Sequence, residues 1–377
     1  MRRRVWVEID IGALRRNYAK IASRVKPAKV LCVLKANAYG LGVADYARAL
    51  ASTDCAGFGV AEPFEALELL GVLKKLGAKK DVQVLSSILP DEIPEMVRAG
   101  VTLPAIDVET AKLISSAAVR QRKTAKVHLK LDTGMGRLGI PVVDAPEAAR
   151  TIAALPGLDL EGVFSHFPMA YDPEDPFTPR QIAAFKGILA EARRSGIEFR
   201  KVHIAASDAI NNFPQCARPP FNMVRTGINL HGSFDPNGRK ALKVEPVLAL
   251  KTRIAQVREL PAGTTLGYGR TWCLKEPTRI ATISAGYADG LPIALTNRGH
   301  VLIDGAVCPI VGRISMDYAT VDVSGAPRAK PGDEVVCLGR SGRRSVTPDD
   351  WAGIKGTHAY DIICSFGTRV QRVCVDR

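Results

Sequence analysis

The chain has 377 residues, of which 46% are hydrophobic and 24% are charged, a composition typical of globular proteins with a large apolar core. No apolar run approaches the roughly 20 residues that a membrane-spanning helix needs. Glu8 and Asp10 interrupt the apolar stretch that a secretory signal would require after the basic start. The formal net charge of +14 is dispersed along the chain, so we expect a solvated positive surface rather than a nucleic-acid-binding protein.

The eight cysteines are scattered along the chain, and no two form a CxxC pair. This spacing argues against a zinc site or a thioredoxin-like site, and we expect no metal. Most cysteines stand in apolar surroundings, as Cys32 does between Leu31 and Val33. Such surroundings predict buried free thiols in a reducing, cytoplasmic compartment.

Short apolar runs alternate with amphipathic helical stretches over about the first 230 residues. Each strand candidate is rich in Val, Leu or Ile and is bounded by Gly, Pro or polar residues. The candidates cover residues 30–35, 57–60, 82–86, 103–106, 127–131, 160–165, 201–204 and 222–225. Helical patterns lie between them, such as the apolar stripe formed by Leu14, Tyr18, Ile21 and Val25. This alternation predicts an α/β fold with a TIM-type (β/α)8 barrel.

The pattern changes after about Ser233, where residues 234–238 have the sequence Phe-Asp-Pro-Asn-Gly, typical of a turn or linker. Gly and Pro closely punctuate the β-rich runs that follow, and little helical periodicity is visible. These runs cover residues 247–257, 278–284, 301–303, 307–311, 319–323, 334–338 and 368–375. We predict a barrel domain over residues 1–235, whose first ten or so residues pair with the C-terminal domain, and a mainly-β domain over residues 236–377.

Lys35 ends the first predicted strand, in the segment Val33-Leu34-Lys35-Ala36-Asn37-Ala38-Tyr39-Gly40. Burying an unpaired ammonium group is unfavourable, so a lysine at this position needs an explanation. One interpretation is a side chain that extends along the barrel rim to water. The other is an amine whose pKa is lowered by desolvation, which prepares it for covalent chemistry with a carbonyl group.

Residues 35–40, with the sequence KANAYG, resemble the lysine motif that binds pyridoxal 5′-phosphate (PLP) in alanine racemases. Further family-like strings follow in the same order along nearly the whole chain. They lie at residues 131–139 (LDTGMGRLG), 164–167 (FSHF), 222–228 (NMVRTGI), 266–270 (LGYGR), 286–290 (GYADG) and 312–317 (GRISMD). Each string alone is a weak signal, but their joint order and spacing closely resemble the alanine racemase family.

The resemblance implies a PLP-dependent isomerase that interconverts L- and D-alanine and supplies D-alanine for peptidoglycan. Racemisation removes a proton from one face of the α-carbon and returns it on the other, so two acid–base groups must flank the substrate. The resemblance implies Lys35 for one face and Tyr268 of a partner subunit for the other, and hence a homodimer. A free tyrosine has a pKa of about 10, so a tyrosine base needs nearby cations.

The resemblance also implies the residues that hold the cofactor and the substrate. Besides Lys35, those expected to contact PLP are Tyr39, His166, Ser207, Arg225, Gly227, Ile228 and Tyr360. Arg225 would donate to the pyridine nitrogen, with His166 supporting it, while Ser207 and Gly227 follow the last two barrel strands, where such barrels often bind phosphate.

The substrate is expected to contact Arg137 and the partner's backbone at Met316, with Tyr287 narrowing the entrance; Arg137 could instead hold the phenolic oxygen of the cofactor. Lys130 matches a lysine that is carbamylated in some relatives. Two interpretations of Lys130 remain open: a carbamate that pairs with Arg137, and an unmodified lysine.

The sequence departs from the usual family pattern at Ala206, where asparagine is common, at His231, where tyrosine is usual, and at Ser315, where cysteine is common. These departures leave the substrate range open, and the alternative is a racemase of serine or of a broader set of amino acids. A second alternative is a non-catalytic PLP-binding carrier of the same barrel type. Such carriers lack the β domain, so Tyr268 and the region of Met316 argue against it.

Overall fold

The computed structural model of the protein describes residues 3–235 and 237–377. It begins with strand β1 (Val5–Asp10) and helix α1 (Ile11–Val25). The next strands are β2 (Lys29–Val33), β3 (Gly57–Val60), β4 (Asp81–Val84), β5 (Leu103–Ala105), β6 (Ala125–Asp132), the two-residue β7 (Ile140–Pro141), β8 (Leu158–Phe164), β9 (Lys201–His203) and β10 (Met223–Thr226). The helices between them are α2 (Lys35–Tyr39), α3 (Val43–Leu50), α4 (Pro63–Lys75), α5 (Ile93–Ala99), α6 (Val108–Arg120), α7 (Ala145–Ala153), α8 (Phe177–Arg194) and α9 (Ser207–Asn212).

Eight of these strands form a closed parallel barrel. Pairing runs in the orders β10-β2-β3-β4 and β5-β6-β8-β9. A bridge between Gln83 and Thr102 joins β4 to β5, and the amide of Arg225 donates to the carbonyl of Ala205 at 3.0 Å, beside β9 and β10. Every strand predicted for the barrel is present, with ends shifted by at most two residues. The predicted TIM-type barrel is therefore confirmed.

The chain after β10 is mainly β structure. Its elements are β11 (Leu248–Leu260), β12 (Thr265–Leu266), β13 (Trp272–Cys273), β14 (Thr278–Ile283), β15 (His300–Ile303), β16 (Ala306–Pro309), β17 (Ala319–Asp322), β18 (Glu334–Val336), β19 (Gly339–Ser341), β20 (Arg344–Val346), α10 (Pro348–Lys355), α11 (Ala359–Cys364) and β21 (Gln371–Val375). The long strand β11 pairs with β1, β14 and β18. Since β1 also pairs with β21, the first strand of the chain belongs to this sheet and not to the barrel.

The strands expected after residue 247 are present, but the expectation of little helix missed α10 and α11. Helix α10 has a clear start signal, because Thr347 and Asp350 cap each other and Pro348 follows the cap. Helix α11 has only six residues, too few for a periodic pattern. Residue 236 of the predicted linker lies outside the described residues, and the domain boundary stays a prediction. Within the described residues, no helix combines the length and the apolar composition that crossing a bilayer demands.

Asn17 in helix α1 ties the barrel to the segment that leads into β11. Its buried amide donates to the carbonyls of Leu230 at 3.1 Å and Glu245 at 2.8 Å, and its side-chain oxygen accepts from the amide of Glu245 at 2.7 Å. Lys20 and Arg16 also pair with the Glu245 carboxylate, but such partly exposed ion pairs contribute little. The three hydrogen bonds of Asn17 are therefore the stronger link.

Replacing Asn17 with Leu should destabilise the protein, because buried backbone groups lose their partners at roughly 1–3 kcal/mol each. We expect the free energy of unfolding, measured by urea denaturation, to fall by about 3 kcal/mol or more. The control Lys20→Ala removes only a partly exposed ion pair and should change the value by less than about 1 kcal/mol. Equal stability of the two variants would contradict this role of Asn17.

Candidate active site

The carboxyl ends of the barrel strands surround a cavity of about 170 Å³, the position at which barrels of this type carry their active sites. Most of the residues singled out from the sequence line it. They are Lys35, Tyr39, Lys130, Arg137, His166, Ser207, Arg225, Gly227 and Tyr360. Helix α11, which the sequence analysis missed, supplies Tyr360 from the far end of the chain. The tertiary structure thus gathers the predicted barrel residues in one place.

Lys35 begins an unusual left-handed turn. Residues 36–39 have positive φ angles between 51° and 58° although none is glycine, and each such residue costs roughly 1–2 kcal/mol. Local hydrogen bonds compensate, since the Asn37 side chain accepts from the amide of Val43 at 2.7 Å and the Gly40 amide donates to the carbonyl of Ala36 at 2.7 Å. The turn places Lys35 and Tyr39 on the same cavity, so the strain serves the site.

Burial, followed by the charge of Arg137, lowers the pKa of Lys35 below that of an ordinary lysine. A larger share of its amine is therefore unprotonated, which is the form that attacks carbonyl groups and accepts protons. Lys130 shares the cavity, and burial followed by the neighbouring guanidinium groups lowers its pKa to about 8. Its Nζ donates to the carbonyl of Leu85 at 2.6 Å, and its carbamylation stays a prediction.

Arg225 is buried at the end of β10, and all the partners found for its guanidinium among the described residues are neutral. Nη2 donates to the carbonyls of Ser165 at 2.7 Å and Ile204 at 3.0 Å. Nη1 lies 2.8 Å from His203 Nδ1, and Nη2 lies 3.3 Å from His166 Nδ1. Because arginine only donates, both ring nitrogens must accept. Burial, then the charge of Arg225, lowers the pKa of His166 to about 3, so this ring is neutral.

A compact donor-rich region lies at the ends of the last two barrel strands. The amide of Gly227 donates to the Ser207 hydroxyl at 3.2 Å, and the fully buried Ile228 follows it. A Cβ atom at position 227 would overlap the Tyr39 hydroxyl, so only glycine leaves this space free. The Tyr360 ring lies 6.0 Å from that of Tyr39. Hydroxyl groups and backbone N–H groups in such a concave region suit a phosphate.

Tyr268, Tyr287 and Met316 do not line this cavity. They are exposed on the mainly-β region, by 71%, 41% and 52% respectively. Tyr268 lines a separate shallow groove with Arg313, and the amide of Tyr287 donates to the carbonyl of Ser315 at 3.0 Å, which joins its loop to that of Met316. A single chain therefore keeps the predicted second base apart from Lys35.

Three further residues at or beside the site, Phe164, His128 and His203, had no predicted role. Phe164 lines the cavity and stacks on the His203 ring, with centroids 5.1 Å apart and an interplanar angle of 4°. His128 lies 3.1 Å from His203 in the barrel interior. A signal for the two histidines was present in the sequence, since each lies within an apolar predicted strand. A buried ring nitrogen needs a hydrogen-bond partner, so such a histidine indicates a polar contact inside the barrel.

These residues fit PLP. Lys35 offers an amine to an aldehyde, Arg225 offers a donor to a ring nitrogen, and the region around Ser207 and Gly227 offers donors to a phosphate. The barrel and this arrangement at its mouth define a PLP-binding enzyme of the barrel class.

Comparison with known proteins identifies the family. The model of the alanine racemase N-terminal domain matches residues 9–235, and that of the C-terminal domain matches residues 247–374. The alanine racemase of Syntrophobacter fumaroxidans is 38% identical over 364 residues, which cover 96% of this chain and 95% of the relative. That of Chlorobaculum tepidum is 38% identical over 370 residues, covering 97% and 94%. The chain belongs to the alanine racemase family, as the motifs predicted.

Solved structures agree with this assignment. The alanine racemase of D-cycloserine-producing Streptomyces lavendulae has a TM-score of 0.91 and 33% identity, covering 100% of this chain and 98% of that one. The alanine racemase of Bartonella henselae, solved with covalently bound pyridoxal phosphate, has a TM-score of 0.88 and 29% identity, covering 99% and 100%. The predicted barrel with a C-terminal mainly-β domain is confirmed.

Gly227→Ala should weaken PLP binding, because the added Cβ displaces the Tyr39 hydroxyl from the donor-rich region. We expect the Kd for PLP, measured by titrating the cofactor-free protein, to rise at least about tenfold. Gly187→Ala is the matched control, since a Cβ there meets nothing within 4 Å. If both variants bound PLP with the parental affinity, the predicted phosphate position would be wrong.

Proposed function

We propose that the protein interconverts L- and D-alanine as a cytoplasmic homodimer, with Lys35 of one chain and Tyr268 of the other as the two proton-transfer groups. It is a PLP-dependent isomerase of the alanine racemase family. The observation that carries the assignment of roles is the placement of Lys35, with its lowered pKa, in a cavity whose residues fit PLP. Bound PLP supplies an electron sink for the charge left when the α-proton departs.

Lys35 would hold the cofactor covalently, and its Nζ would move a proton on one face of the substrate α-carbon. Its lowered pKa favours both tasks, because each needs the unprotonated amine. Arg137, whose charge contributes to that shift, has the planar pair of donors that suits a carboxylate or a phenolic oxygen. Arg137 therefore orients the reactants beside the amine that it activates.

Arg225 would hold the pyridine ring of PLP as a donor to its nitrogen. Burial lowers the pKa of Arg225 to about 9, so the guanidinium is still charged at neutral pH. A donor that keeps its proton leaves the facing ring nitrogen unprotonated, which makes the electron sink weaker and limits side reactions. His166 would support the guanidinium, while Ser207, Tyr39, Tyr360 and the backbone at Gly227 and Ile228 would hold the phosphate.

The second subunit completes the site in this proposal. Three residues of its β domain would reach the barrel mouth of the first subunit. Tyr268 would be the second base, Met316 would contact the substrate carboxylate through its backbone N–H, and Tyr287 would lie at the entrance. The exposure of these three residues supports an interface, as do further exposed large apolar residues of the same region, which are Trp272, Ile293 and Tyr318. The proposed division into residues 1–235 and 236–377 places the three partner residues in the second domain, which also supplies Tyr360 to the cavity of its own chain.

The shared site is tested by mixing two inactive variants, Lys35→Ala and Tyr268→Phe. Each homodimer lacks one base at both sites, so neither should racemise alanine in an optical-rotation assay. Equal co-expression should restore about a quarter of the parental activity, because half of the dimers are mixed and each holds one complete site.

Tyr318→Phe is the matched control, because Tyr318 lines the same groove as Tyr268 and should leave the rate near that of the parent. Substantial activity of the Tyr268→Phe homodimer would contradict the two-base assignment. Lack of any recovery in verified mixed dimers would contradict the shared site.

The substrate preference is tested by a side-by-side assay of L-alanine, L-serine and L-lysine. We expect kcat/KM for alanine to exceed that for serine by at least about tenfold, which corresponds to ~1.4 kcal/mol of transition-state stabilisation. Equal or higher values for serine or lysine would favour the broader racemase that the departures at Ala206, His231 and Ser315 left open.

A further inference from the structure

A continuous chain of buried polar groups crosses the barrel interior next to the PLP cavity. Arg225 Nη1 lies 2.8 Å from His203 Nδ1, His203 Nε2 lies 3.1 Å from His128 Nδ1, and His128 Nε2 lies 3.1 Å from Glu161 Oε2. The four residues stand on the neighbouring strands β10, β9, β6 and β8, and none is more than 6% exposed. We call this set the Arg225–Glu161 relay.

The relay has one hydrogen-bond direction. Arg225 can only donate, so His203 Nδ1 accepts and the proton of this ring lies on Nε2. That proton is donated to His128 Nδ1, which places the His128 proton on Nε2, where it is donated to the Glu161 carboxylate. Gln83 Nε2 lies 2.9 Å from the same His128 Nδ1 and supports its role as an acceptor. One tautomer of each ring is compatible with every contact, with the two donors sharing the single lone pair of His128 Nδ1.

The backbone of β6 and β8 is shaped around this relay. The register between the two strands shifts so that Val127 pairs with Leu160 and His128 with Gly162, which leaves Glu161 as the extra residue of a β-bulge. Bulges of this kind change the direction of a side chain. A Cβ at position 162 would lie 2.7 Å from the backbone carbonyl oxygen of Lys201 and 2.8 Å from both Cε1 and Nε2 of His128, so glycine is needed there for both the neighbouring strand and the ring to fit.

Ion pairs hold the far end of the relay. Lys201 Nζ lies 3.1 Å from Glu161 Oε2 and 2.8 Å from Asp81 Oδ2. Burial alone raises the pKa of Glu161, but its hydrogen bonds to His128 and Lys201 bring the pKa down to about 2. Glu161 is therefore an ionised acceptor at every pH at which the enzyme would work. Burial also lowers the pKa of His128 and His203, so both rings stay neutral.

We propose that His128 and Glu161 are positioning residues for racemisation, which fix the tautomer and orientation of His203 and thereby hold Arg225 as a rigid donor towards the pyridine nitrogen. The proposal rests on the proposed function of Arg225. Two neutral rings separate the Glu161 carboxylate from the guanidinium, so Arg225 is oriented without being neutralised. If His203 carried its proton on Nδ1, that proton would face the Nη1 donor of Arg225 and push it away.

The test compares His128→Leu with His128→Gln in the PLP-loaded enzyme. Leucine leaves the Nε2 proton of His203 without an acceptor, whereas the glutamine amide can accept from His203 and donate to Glu161. For His128→Leu we expect kcat for alanine to fall at least about tenfold with KM changed less than about twofold, because the carboxylate contacts are elsewhere. The visible absorption spectrum of the bound cofactor, followed over pH without substrate, should also change. His128→Gln should restore most of both properties.

Glu161→Gln is the second variant, since it keeps the side-chain shape but removes the charged acceptor. It should shift the cofactor spectrum in the same direction as His128→Leu and reduce kcat by a smaller factor. This variant tests the proposal even if His128→Leu fails to fold. Arg200→Ala is the matched control, because Arg200 is an exposed residue 3.9 Å from Glu161 that contacts neither histidine. It should leave kcat and the spectrum at parental values.

Parental kcat and a parental spectrum in a folded Glu161→Gln enzyme would overturn the proposal, as would an equal effect of Arg200→Ala. A parent enzyme that does not racemise alanine would overturn the proposed function. A parent that racemises alanine together with unaffected relay variants would overturn only the positioning role.

Discussion

The site is organised by positive charge gathered in a small cavity at the barrel mouth. Lys35, Lys130, Arg137 and Arg225 all line the same space at the barrel mouth. Burial, followed by the neighbouring positive charges, lowers the pKa of both lysines, because desolvation and each additional positive charge oppose protonation. A cationic cavity of this kind favours anionic groups, which suits a phosphorylated cofactor and a carboxylate substrate. The lowered pKa of Lys35 and the attraction of anionic groups to the cavity therefore share one physical cause, the neighbouring positive charge.

The scaffold holds these groups through strain and close backbone approach at a few positions. The left-handed turn at residues 36–39 is unfavourable by itself, and the rigid barrel around it maintains this conformation. Glycine leaves room for the Tyr39 hydroxyl at position 227 and for the His128 ring at position 162. In both cases a residue without a side chain leaves space that a side chain from a distant part of the chain occupies.

The amount that could be predicted differed between the fold and the site. The barrel strands were found because each is a short apolar run between Gly, Pro or polar residues, a local signal that burial on both faces produces. The six-residue helix α11 carries no such signal, and only the structure explains how Tyr360 reaches the cavity. The links between His128, His203 and Glu161 depend on a β-bulge, which strand propensity does not reveal.

The sequence by itself determined the succession of barrel and β structure, the family, and the residue types available for chemistry, because these follow from local patterns and from the order of the motifs. Only the tertiary structure decided which of those residues meet. It gathered Lys35, Arg137, Arg225 and Tyr360 at one mouth and left Tyr268 exposed by 71% on the other part of the chain. The reason is that closure of the barrel and the register of its strands fix distances between residues far apart in sequence, and no local pattern encodes those distances.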